Sequence, residues 1–441
     1  MTNKSKKVSK SYKYFIIFLC MFTQAIPFGI AQNIQPLFIH PLINTFHFTL
    51  ASYTLLFTLG AVTSSICSPI VGNFMGKINF KLMYIIGIII SSIAFVIFGF
   101  SSKLPEFYIA GILCMTGAVF YSTQGVPWVI NHWFSGKNRG VALGIAFCGG
   151  SIGNIFLQPF TQSLLRRYMV GNAKTGHLIS MTPFFIFAII LFIVGLIIAF
   201  FIRLPKEDEI VISNKKNLQL DRNSQKQGVS KKGFEGWTPQ QVLKMSWFWV
   251  FSIGFLMIGL GLASITEEYA AFLDTKMTFT AVGIVGSVFG ISSLIGNITG
   301  GMLFDKLGIA KSMTYAAIMY VIAILMMIFI SGQTFNSQAS HWAAIIFAIC
   351  IGLAVFCYMS GPAFMAKSLF GKKDQGVMLG YVGLSYAIGF AIGAPLFGII
   401  KGIIGFKITW YIMLTFVIIG FILLIFAVIK IENLQKICIQ E

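Results

Sequence analysis

Apolar runs of about 20 residues, the length of α-helix that crosses a hydrocarbon core of about 30 Å, recur along the whole chain between short polar turns. Twelve can be marked, at residues 14–38, 51–75, 80–100, 106–128, 139–165, 178–202, 246–270, 279–303, 312–332, 342–366, 376–400 and 405–429. A polar stretch at 203–245, rich in Lys, Asn, Gln and Ser, divides them into two sets of six. The pattern predicts an all-α membrane protein with a tail at 1–13, a six-helix bundle at 14–202, a mobile linker at 203–245, a second bundle at 246–429 and a tail at 430–441. Within the linker, Thr238 before Pro239 predicts a capped helical lead-in to helix 7.

Composition agrees with this pattern. Of 441 residues, 57% are hydrophobic and 10% charged, and the mean hydropathy is +0.85, which excludes a water-soluble globular fold. The net charge of +19 raises the question of nucleic acid, but 25 of the 32 basic residues fall on the tails and loops of a single face. The positive-inside rule then puts both termini and the linker in the cytoplasm of a multi-pass protein of the cell membrane. No nucleic-acid partner is implied; the bilayer is the implied partner, and the chain is expected to act as a monomer. The first apolar run is too long and too polar, with Gln24, Gln32, Asn33 and Gln35, for a cleaved signal segment. The seven cysteines show no metal-type spacing, so neither a metal site nor a disulfide is expected.

The two sets of six are copies of one another. At an offset of 236 residues, "KNRGVALG" (137–144) overlays "KDQGVMLG" (373–380), and the match runs on through Gly153/Gly389 and Pro159/Pro395 and back to Gly125/Gly361. A second echo, at an offset of 229, sets "VGNFMGKIN" (71–79) on "GGMLFDKLG" (300–308), pairing Gly72 with Gly301 but Gly76 with Asp305. Two parallel six-helix halves joined by a polar linker resemble the architecture of the major facilitator superfamily. The predicted fold is therefore twelve transmembrane helices in two pseudo-symmetric six-helix bundles.

Local motifs carry the resemblance further. "GGMLFDKLGIAK" is similar to that superfamily's signature loop between helices 8 and 9. "NHWFSGKNRGVALG" and "LKMSWFWVF" resemble the entries to helices 5 and 7 of the oxalate/formate antiporters and related monocarboxylate porters. The resemblance implies that Asp305 binds across the interface between halves, at the start of helix 5 near Arg139, and holds the cytoplasmic side shut. Gly76 cannot do the same for helix 11, whose first turn carries its own acid, Asp374. An asymmetric latch built from Asp305, Arg139, Gly72, Gly301 and Asp374 is the expectation.

No nucleophile–base constellation, phosphate loop or ATP motif is present, so no enzyme and no cofactor is expected, and transport would draw on gradients. In the superfamily's fold the substrate lies near the midplane between halves. Helix 5 offers Ser151, Asn154 and Gln158 at spacings that share one face. Gln24 and Asn33 of helix 1, Gln124 of helix 4, Asn297 of helix 8, Tyr358 of helix 10, and Tyr381 and Ser385 of helix 11 complete the candidate lining; each is equally a residue type that bonds neighbouring helices. The oxalate-transporting members of the resembled family carry an arginine where this chain has Asn297 and a lysine where it has Val382. Without deep cations a small dianion is disfavoured. A monocarboxylate is the expected substrate, taken up with protons or exchanged for another anion. A larger amphipathic anion such as a conjugated bile salt, or export of amphipathic drug-like compounds, is the alternative. Glu267 and Glu268 at the outer end of helix 7 admit two roles: a proton-coupling or outer-gate pair, or acids already wet at the interface.

Overall fold

A computed structural model describes residues 8–134, 138–170, 178–205, 236–371 and 373–440. Its helices are α1 (Tyr12–Phe38), α2 (Leu50–Phe74), α3 (Phe80–Phe100), α4 (Leu104–Trp133), α5 (Arg139–Tyr168), α6 (Thr182–Phe201) and α7 (Ser246–Asp274). There follow α8 (279–307), α9 (309–331), α10 (Gln338–Met359, prolonged by Gly361–Phe370), α11 (375–404) and α12 (406–440). The loops expected between helices 8 and 9 and between 11 and 12 shrink to single residues, Gly308 and Gly405, each with φ of 79°. An L side chain strongly disfavours that left-handed backbone, so glycine alone lets the chain turn so sharply there. A two-residue antiparallel ribbon, Met169–Val170 with Leu178–Ile179, links α5 to α6. Most of the expected linker, 206–235, lies outside the described residues.

Local chemistry fixes the ends. Thr49, Asn79 and Ser337 cap α2, α3 and α10 by accepting from Ser52, Lys81 and Ser340 N–H. Thr238 and Gln241 form a reciprocal capping box on the lead-in helix Pro239–Lys244, which runs into α7 as the Thr-Pro pair predicts. The end of the linker is docked, since Trp237 N–H donates to Phe370 O at 3.1 Å.

Within each bundle, small residues let helices approach, because lipid is as apolar as leucine and gives no hydrophobic drive to helix pairing. Gly149 and Gly153 of α5 lie against the backbone of Met21 and Ala25 on α1, and Gly389 and Gly393 of α11 lie likewise against Leu256 and Leu260 on α7. The repeat thus reappears as one packing solution used twice. Breaks recur in register too. A π-helical turn at Val119–Thr123 interrupts α4, and the 236-residue counterpart in α10 is broken around Ala354–Ser360. A second π-turn, Gly29–Asn33, interrupts α1.

Candidate functional site

The bundles meet along two seams at the face that carries both chain ends, here the terminal face. In one, Gly140 of α5 and Gly301 of α8 touch backbone to backbone, and a Cβ on either would stand 2.3 Å from the other's carbonyl oxygen. In the other, Gly72 of α2 meets Gly376 of α11, where an added Cβ would stand 2.2 Å from Gly376 O. The seams continue at Gly144 against Asn297 O and at Gly380 against Pro69. Further from this face they part: nothing lies within 4 Å of where a Cβ would stand at Gly283, Gly290 or Gly383, which share the helix faces of Gly301 and Gly376. The cleft between the bundles is thus shut at the terminal face and opens away from it.

Three polar contacts cross the shut end. Gly140 N–H donates to Asp305 Oδ1 at 2.9 Å and Val141 N–H to Oδ2 at 3.0 Å, so the carboxylate occupies the N-terminus of α5, where unpaired N–H groups and the helix dipole favour an anion. Arg139 stands beside it but spends its guanidinium on α10, donating to Phe364 O at 2.9 Å and Ser368 Oγ at 2.5 Å, with its carbon 4.2 Å from the Phe364 ring centre. Lys367 of α10 donates to Asn131 O at the end of α4. Lys367 and Asn131 are 236 residues apart, so this bond joins equivalent points of the two copies. Asp374 accepts Met378 N–H through its own carbonyl at 3.0 Å, as the residue before α11's first turn should. Among the described residues its carboxylate has no hydrogen-bond partner.

Above the shut end lie most of the predicted lining residues. Ser151, Asn154 and Gln158 are half-buried and continue the α5 face that carries Gly140, Gly144 and Cys148. Cys148 still belongs to the closed part, donating to Leu294 O at 3.3 Å. Gln24 is buried and accepts from Ser122 Oγ at 2.9 Å; Gln124 is buried and donates to Ser68 Oγ at 2.7 Å. Gln24 Nε2, Gln124 Oε1, Asn154 Oδ1 and Asn297 Oδ1 are nonetheless buried without a polar partner among the described residues. A buried amide group left unbonded costs about 1–3 kcal/mol, so Gln24 Nε2 would gain from an acceptor and the three oxygens from a donor. Asn33 sits half-buried in the π-turn of α1.

On the opposite bundle, Tyr358 stacks on Tyr386 with ring centres 5.6 Å apart and planes 9° from parallel. Phe255 and Phe390 flank Tyr386 at 5.3 and 5.7 Å, and the Tyr386 hydroxyl is buried without a partner. Tyr386 was not among the residues expected from the sequence. The lone signal for it is Phe390 four residues on, which shares its face. Tyr381, which was expected, turns its ring toward Phe248 at the start of α7, and Ser385 bonds back to Tyr381 O at 3.2 Å. On helix 11 it is Tyr386 whose ring stacks on α10. The two acids of α7 separate: Glu268 pairs with Lys401 of α11 at 3.8 Å, whereas Glu267 is exposed and within electrostatic reach of Tyr358 and Tyr386.

Comparison with known proteins matches the family described as Major Facilitator Superfamily over residues 14–275 and 250–436. Among curated relatives, Multidrug resistance protein 1 of Bacillus subtilis (strain 168) is 27% identical over 251 residues, 56% of this chain and 55% of that protein. The chain thus spans about half the length of that relative. Monocarboxylate transporter 12-B of Danio rerio is 24% identical over 392 residues, 85% of this chain and 78% of that protein. Among solved structures, the transporter FucP in its outward conformation superposes with a TM-score of 0.67 at 16% identity, covering 96% of this chain and 99% of that one. A bacterial homologue of the iron transporter ferroportin, in its outward-facing state, gives 0.66 at 12% identity over 96% and 99%. These two share the fold.

Proposed function

The chain belongs to the major facilitator superfamily, a family of membrane transporters, and on that premise we propose that it is a secondary active transporter of organic anions, chiefly monocarboxylates. It sits in the plasma membrane with both termini cytoplasmic, and works by alternating access, its bundles 14–202 and 246–429 rocking about the central cleft. The terminal face is then the cytoplasmic side, and the geometry described is that of an outward-open carrier.

One observation carries the substrate class. Gln24 Nε2 on the first bundle and the Tyr386 hydroxyl of the tyrosine stack on the second are buried donors left without a partner among the described residues, and the two buried cations of the interface, Arg139 and Lys367, are both tied to backbone carbonyls at the shut end. Amide and hydroxyl donors suffice for one carboxylate, while a dianion taken out of water needs a fixed cation. Gln24, Asn33, Gln124, Ser151, Asn154 and Gln158 supply the polar side, joined from α8 by Asn297, with Tyr358 and Tyr386 facing the substrate's apolar body. Tyr381 and Ser385 of α11, both half-buried, complete the proposed lining.

Uptake into proteoliposomes by a panel of monocarboxylates, dicarboxylates, bile salts and lipophilic cations tests the reading. Monocarboxylates are expected to accumulate at least about 10-fold faster than dicarboxylates, the discrimination that about 1.4 kcal/mol of differential stabilisation supplies. A carboxylate near stacked aromatic rings also suits a lipophilic cation, and a preference for such compounds in this panel replaces the anion reading with a drug exporter.

A further inference from the structure

We propose that Glu267 carries the proton of the transport cycle and binds it together with the monoanionic substrate, whereas Glu268 is a fixed structural partner of Lys401. The proposal rests on the anion-transport reading above and decides between its two couplings, symport and exchange.

Consecutive residues on a helix point about 100° apart, so two adjacent acids cannot serve one site. Glu268 faces Lys401 of α11 and forms an ion pair at 3.8 Å. Glu267 lies one turn beyond Ala263, whose Cβ packs at Gly393 of α11, and so emerges just above the α7–α11 contact, within electrostatic reach of the Tyr358–Tyr386 stack. It is exposed there. The ionisable groups around it are Glu268 and Tyr269 on its own helix, Tyr358 on α10 and Tyr386 on α11. Residues 279–296 of α8 contain no ionisable side chain, and Lys407 and Tyr411 of α12 are exposed. Among the described residues, Lys401 of α11 is the cation paired to α7, and Glu268 engages it.

An anion held between the amides and the tyrosine stack therefore shares the cleft with an acid that no cation neutralises. At a separation of about 8 Å and an effective dielectric near 20, like charges repel strongly enough to weaken binding by roughly 30-fold. Protonated, Glu267 is neutral and can donate a hydrogen bond. Anion affinity then rises with proton binding, and by linkage the bound anion favours the proton equally. Each cycle moves one proton, taken from water at the open side onto a Glu267 carboxylate oxygen and released with the anion at the other side. No net charge crosses with it.

The test uses the full chain in proteoliposomes, with lactate and benzoate as probes, comparing uptake driven by an inward proton gradient with counterflow at equal pH on both sides. Wild type is expected to concentrate a probe under the gradient. Glu267→Gln is expected to keep counterflow and to lose accumulation, with an apparent affinity no longer dependent on pH; Glu268→Gln is expected to keep accumulation. Should Glu267→Gln also lose counterflow, Glu267→Asp discriminates: restored gradient-driven uptake supports the proton role, and its failure overturns it. Accumulation by Glu267→Gln overturns the proposal alone. Absence of any anion uptake or counterflow by wild type overturns the anion reading and the proposal with it.

Discussion

At the shut face the single carboxylate of Asp305 accepts two N–H groups from the other bundle, and the proposed latch rests on it. Asparagine keeps one acceptor and loses the charge, so Asp305→Asn is expected to cost the shut state about 1–3 kcal/mol, a roughly 5- to 150-fold shift toward opening at the terminal face. Cys148 reports the change. Its thiol lies inside the α5–α8 seam, and in a protein whose other cysteines are replaced, Asp305→Asn should speed its labelling from the terminal side; an unchanged rate would remove Asp305 from the latch. The acid stood out in the sequence because the glycine-flanked turn is written twice and one copy keeps the carboxylate, while its target helix followed from the resemblance to the superfamily's signature loop. The destination of Arg139 was not. A flexible guanidinium takes whichever carbonyls the opposing helix leaves free, and the end of α10 supplies them. Tyr386 escaped for a similar reason: a single tyrosine in an apolar run shows no periodicity, and its partner, Tyr358, sits on another helix.

Among elements, the four helices α2, α5, α8 and α11 form both seams, and glycine at the crossings sets how closely they approach. Gly301→Val places two methyl groups where even a Cβ meets Gly140 O at 2.3 Å. The backbones cannot yield without separating the bundles, so this variant is expected to stay unclosed at the terminal face and to lose at least about 90% of transport, since an alternating-access carrier needs both closures. Spin labels at the terminal ends of α5 and α8 should report a longer distance than in the parent; an unaltered distance would mean that the seam is not the contact that closes the face. Most span edges were readable to within a few residues, since length and hydropathy govern them, but α12 runs on to 440, through the expected tail at 430–441. The π-turns in α1 and α4 were not readable, because Gly29–Asn33 and Val119–Thr123 carry no proline and their polar residues, Gln32, Asn33, Ser122 and Thr123, are of kinds that an unbroken helix also carries. Only neighbours that re-satisfy the displaced backbone bonds make such a break tolerable.

At the scale of the whole molecule, the basic residues gathered on one face are the ground for the proposed orientation of the chain in the membrane. With the native cysteines removed, Ser102→Cys and Thr334→Cys should react with an impermeant reagent on intact cells, and Asn79→Cys and Asn433→Cys only after permeabilisation; the reverse result would invert the carrier and turn uptake into export. By itself the sequence determined the number of spans, their grouping into two copies, the face that carries the positive charge and the absence of a cation deep in any span. Those properties follow from solvent: a 30 Å apolar slab dictates helix length and where charge can lie, whatever the helices do to one another. The tertiary structure decided which side of each helix meets its neighbour, and with it the Tyr358–Tyr386 stack, the separation of Glu267 from Glu268 and the closure of one end. Hydropathy is silent there, because lipid and a packed helix are equally apolar surroundings, and rotation about a helix axis is settled by shape and by the few polar groups that find partners.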